Sequence, residues 1–99
     1  MDSTIFEKAV GMFWRGHSPL FVAQQLGDEN LDTIDDAAEF VSERKQNAVE
    51  ISETMFRAGA KHRAVLDALR DLEIPDHNAA EISLAAMATA RREKEEQKA

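Results

Sequence analysis

Apolar residues recur along this chain at steps of three and four, the spacing that lines up one face of a helix. Ile5, Phe6, Ala9, Val10 and Phe13 form the first such face. It opens at Thr4, with Glu7 three residues on as in a capping box, and stops at Gly16, where a left-handed C-terminal cap is expected. Ser18 and Pro19 supply a cap and a first helical position for a second helix. That helix carries Leu20, Phe21, Ala23 and Leu26 as its apolar residues and ends at Gly27.

From Thr33, with Asp36 three residues on, to Ala58 there is neither Gly nor Pro. Ile34, Ala37, Val41, Ala48, Ile51, Met55 and Ala58 make a seam whose middle is interrupted by Arg44. The pattern predicts one long helix over 33–58, with a break near "SERKQN" as the alternative. Gly59 closes it, a fourth helix follows over about 61–72, and "EIPDHN" turns the chain into an Ala-rich fifth helix over about 76–92. The closing "RREKEEQKA" has no apolar face, so residues 93–99 read as a charged tail that frays into solvent.

The predicted fold is therefore all-α, a small bundle of about five helices in one domain over 1–92. The long Gly- and Pro-free stretches are filled by residues that lose little rotamer entropy in a helix. Its two halves also echo each other. "MFWRGHSP" at 12–19 and "MFRAGAKH" at 55–62 both place Met-Phe ahead of a Gly, and "AAEF" at 37–40 is matched by "AAEI" at 79–82. Two tandem three-helix units, about 4–45 and 47–92, would then share the long central helix. A plain bundle with coincidental similarity is the competing reading.

Composition removes several functions. The chain has no Cys, which excludes disulfides and thiolate chemistry. No run approaches the length of a membrane span, and "MDSTIFEKAV" has neither the basic start nor the apolar run of a signal peptide, so a cytoplasmic protein is expected. His17, His62 and His77 are isolated, which gives no metal-ligand spacing, and no cofactor motif is present. Asp35 and Asp36 are adjacent, so on a helix they diverge instead of converging for acid–base work. With no nucleophile motif or phosphate-cradling loop either, the chain reads as a non-enzyme.

Two resemblances bear on binding. "SPLFVAQQLG" resembles the first helix of a helix-turn-helix, which implies that the next helix enters the DNA major groove. That next segment holds seven carboxylates between Asp28 and Glu43 and no Lys or Arg, and it would meet phosphate with like charge. The same three-helix pattern resembles ubiquitin-associated domains, with "LDTIDDAAEF" similar to their closing helix. This resemblance implies that the corner after the first helix is a partner-binding place, and implies nothing about ubiquitin.

With a net charge of −7, direct nucleic-acid binding is disfavoured. The reading favoured is a protein-binding inhibitor or adaptor, of the kind carried by phages and mobile elements, that occupies a basic nucleic-acid-binding groove on its partner. Its candidate contacts are Trp14, Arg15 and His17 at the first corner, and Asp28, Glu29, Asp32, Asp35, Asp36 and Glu39 on the acidic segment. Trp14 adjoins Phe13, and one helix face cannot bury both fully, so either Phe13 points inward and Trp14 lies toward the rim, or a partner covers the second side. A DNA-binding regulator using the basic residues Arg57, Lys61, Arg63 and Arg70 is one alternative. An assembly protein whose long helix pairs with its copy, as a homodimer, is the other.

Overall fold

The computed structural model describes residues 3–98. Five α-helices follow one another: α1 (Ser3–Trp14), α2 (Pro19–Leu26), α3 (Leu31–Arg57), α4 (His62–Asp71) and α5 (Asp76–Lys98). A 3-10 turn, Asp28–Asn30, joins α2 to α3, and no strand occurs among the described residues. The expected long helix is one uninterrupted α3. It packs against α1, α4 and α5. Two compact units divide within it, residues 1–43 and 44–99.

Two starts lie earlier than their Thr signals. Thr4 is already inside α1, and Thr33 is inside α3. At α3 the cause is Asn30, whose side-chain amide donates to the Leu26 carbonyl at 2.7 Å and caps the end of α2. The 3-10 turn then runs straight into helix at Leu31. By contrast, α2 begins as expected, with Pro19 at its first turn and Ser18 Oγ accepting from the Phe21 N–H at 3.2 Å.

The repeated "MF…G" phrase is a repeated helix ending. At the first corner Gly16 has φ +92°, its N–H donates to the Phe13 carbonyl at 3.0 Å, and the His17 N–H reaches the Met12 carbonyl at 3.2 Å. At the second, Gly59 has φ +89°, and the N–H groups of Gly59 and Ala60 reach Phe56 and Met55 at 3.0 and 2.9 Å. This double closure satisfies two otherwise orphaned carbonyls and requires a left-handed residue. The same closure ends α4, where Glu73 stands in the left-handed position at φ +63°. A non-Gly residue there costs about 1 kcal/mol, partly offset because Gly is freer when unfolded. Glu73→Gly is therefore expected to stabilise the chain by about 0.5 kcal/mol, read as a raised urea midpoint; a lowered midpoint would contradict it.

In the first unit the buried residues are Ala9, Phe13, Trp14, Val22, Ala23, Ile34, Ala37 and Val41. Phe6 of α1 meets Phe40 of α3 edge-on, with ring centres 5.6 Å apart. In the second unit, small buried residues on α3 (Ala48, Ser52) and α5 (Ala79, Ser83, Ala86) accompany the larger Val65, Leu69 and Ile74. Large side chains set among small ones let such helices interdigitate.

Arg44, the polar residue in the α3 seam, has a packing role. Its Nη1 donates to the Leu72 carbonyl at 2.6 Å, capping the end of α4. Ser52 is the opposite case: its Oγ is buried with no hydrogen-bond partner. An unsatisfied buried hydroxyl costs about 1–3 kcal/mol, so Ser52→Ala is expected to be neutral or stabilising in urea unfolding. A clear loss would mean that the hydroxyl is satisfied in solution.

Of the tail 93–99 expected to fray, residues 93–98 continue α5 as helix, and Ala99 lies outside the described residues. Glu, Lys, Arg and Gln are strong helix formers. Arg57 also fastens this segment, donating to both Glu93 carboxylate oxygens at 2.8 and 2.9 Å. That hydrogen bond is the largest cause holding the Glu93 carboxyl below its ordinary pKa. The contribution of this exposed pair is present at neutral pH and fades as acid protonates Glu93.

Candidate functional site

Trp14 is only 8% exposed, as is Phe13. The expectation of a rim-facing Trp is thus corrected: both aromatics are buried, on a helix that packs against α2 and meets α3 through Phe6 and Phe40. The exposed aromatic of this corner is Phe21, 37% exposed, whose ring stacks on His17 with centres 4.4 Å apart. Leu20 beside it is 70% exposed, while the buried residues of α2 are Val22 and Ala23. Two of the four apolar residues assigned to α2 from sequence therefore face outward. Arg15 and His17 are exposed as well.

The acidic residues form a surface. Asp28, Glu29, Asp32, Asp35, Asp36 and Glu39 are all exposed, and so is Glu43, which continues their row. At about 100° per residue, positions 32, 35, 36, 39 and 43 of α3 fall within a sector of roughly 100°. The buried Ile34, Ala37 and Val41 lie on the opposite side. Among the described residues none of these carboxylates makes an ion pair. Asp28, Glu29 and Asp32 sit at or before the first turn, where they favour the positive end of the helix dipole. Asp35, Asp36, Glu39 and Glu43 lie beyond it, and their mutual repulsion at spacings of three and four destabilises the helix.

Sequence alone shows how unequal the two units are. Residues 1–43 hold nine acidic and two basic side chains, a net −7, whereas residues 44–99 hold ten of each. The whole net charge of the chain therefore resides in the first unit.

Pairing divides the basic residues of the second unit. Arg57 is held by Glu93 and lies 3.6 Å from Glu53. Arg70 pairs with Asp76 at 3.2 Å and approaches Asp67 at 3.8 Å. Lys61 and Arg63 are exposed and make no ion pair among the described residues. The four do not present one unneutralised patch.

His62 Nε2 lies 2.8 Å from Ser83 Oγ, and that hydroxyl donates to the Ala80 carbonyl at 3.0 Å. Ser83 thus accepts the His62 N–H and is fully buried, an arrangement that ties α4 to α5 instead of exposing a nucleophile. His77 approaches Glu81 at 3.1 Å on the surface. The described residues contain no cluster of metal-ligating groups and no helix long and apolar enough to cross a membrane. Comparison with protein-family models, curated proteins and solved structures gives no match.

Proposed function

We propose that this protein acts without catalysis, by laying the acidic face of α3 on a basic surface of another protein. The observation that carries this reading is the row of exposed, unpaired carboxylates of a single sign. An ordinary solvated helix face mixes both signs, as the second unit does with its Arg57–Glu93 and Arg70–Asp76 pairs. The carboxylates of α3 past the first turn gain nothing from the helix dipole and repel one another. Binding a cationic surface would offset that cost.

Charge spacing indicates what kind of surface. The five carboxylates from Asp32 to Glu43 span roughly 16 Å of helix at ~1.5 Å per residue, or one charge per roughly 3–4 Å. One strand of duplex DNA carries a phosphate about every 3.4 Å. A groove that holds a nucleic-acid strand is therefore a fitting target, and the protein would inhibit by occupying it.

The test begins with proteins captured on the immobilised chain and eluted by salt. Those that bind labelled duplex DNA on their own are then challenged with free protein. Release of the DNA by wild type, and not by Asp35→Lys/Glu43→Lys, is the expected result. Equal release by both would remove the acidic face from the function.

A further inference from the structure

The second unit holds a groove of about 440 Å³ beside its Gly59 corner. Phe56, Met87 and Ala90 supply apolar lining, and Arg91 and Lys94 stand on the rim. The His62 ring, fixed by Ser83, runs nearly parallel to Phe56 at 6.4 Å and belongs to the same wall. Arg57 at this groove is committed to Glu93, but Arg91 and Lys94 make no ion pair among the described residues. The wall and its free cations suit an apolar side chain collared by carboxylates.

This chain itself presents such a feature. Leu31, the first residue of α3, is 49% exposed although apolar. Asp28, Asp32 and Asp35 lie three before, one after and four after it, all exposed. We infer that the groove receives Leu31 and its carboxylates from a second copy of the chain, so that the first unit of one molecule docks head to tail on the second unit of the next. Charge complementarity carries the choice of occupant. The contact joins two different surfaces, so it can propagate into short chains or close into a ring. Resting on exposed charges, it weakens as salt rises.

The test needs only this chain and is independent of any foreign partner. Sedimentation equilibrium of the wild type at millimolar concentration and roughly 0.05 M salt is expected to give a weight-average mass at least twice the monomer, falling toward the monomer at roughly 0.5 M. Asp32→Lys/Asp35→Lys reverses the charge around the Leu31 knob, and Arg91→Glu/Lys94→Glu reverses that of the groove. Each variant alone is expected to be monomeric, since each lost face is needed by every copy. In an equimolar mixture, however, the lysines introduced on the knob of one variant would meet the glutamates introduced at the groove of the other. The two native faces also remain complementary, so the mixture should associate again. A monomeric wild type under the low-salt condition overturns the inference, as does self-association of either folded variant or a mixture that stays monomeric. Failure here leaves the DNA-release test untouched, so the two readings fall separately.

Discussion

Replacing Trp14 with alanine is expected to remove about 3–5 kcal/mol of stability. A chain of this size holds roughly 5–15 kcal/mol in total, so the variant sits at the edge of folding. The reason is position, since Trp14 and Phe13 are both buried at the end of α1. Truncation leaves a void that these neighbours fill only in part, and the lost transfer energy adds to the cavity cost. Trp14→Phe keeps most of the volume and should cost much less. Urea unfolding followed by far-UV circular dichroism measures both, because the variants lack the only Trp. A midpoint nearly unchanged in Trp14→Ala would place the residue at the surface and return it to the partner contacts.

Glu39→Lys is expected to act in the opposite direction on stability while damaging binding. Glu39 has Asp35 and Glu43 at four residues on either side and Asp36 at three, all on the exposed face. A lysine there turns three repulsions into attractions, each contact worth about 0.2–0.5 kcal/mol. The summed gain is about 1–3 kcal/mol if the pairs act independently. For a basic partner the same change places like charge in the middle of the contact. Affinity should fall at least tenfold, about 1.4 kcal/mol. A surface that loses stability to keep its charge is what the binding reading requires; a solvated face with no other role would gain stability and lose nothing.

The parts legible in the sequence were those set by near neighbours. Ser18, Pro19, Gly16 and Gly59 marked helix starts and ends because capping depends on residues within one turn. The acidic face was legible for the same reason, once α3 was read as one helix. What depended on distant partners was not. Arg44 stood out as an interruption, but its purpose lies with the Leu72 carbonyl, 28 residues on. The helical end of α5 is tied by Arg57, 36 residues before Glu93. The burial of Trp14 beside Phe13 depends on packing from outside α1, which its own periodicity does not encode. In α2, only eight residues long, Leu20 and Phe21 competed with Val22 for the inward face, and the periodicity of two turns could not decide between them.

The central claim is that the acidic face of α3 binds by its charge, and the salt dependence of binding tests it most directly. Affinity for a captured DNA-binding partner would be measured from roughly 0.05 to 0.5 M salt for wild type and Glu39→Lys. The expected result is a steep fall in wild-type affinity with rising salt, and a shallower slope from a weaker start in Glu39→Lys. Wild-type affinity that stays flat across that range would contradict the claim.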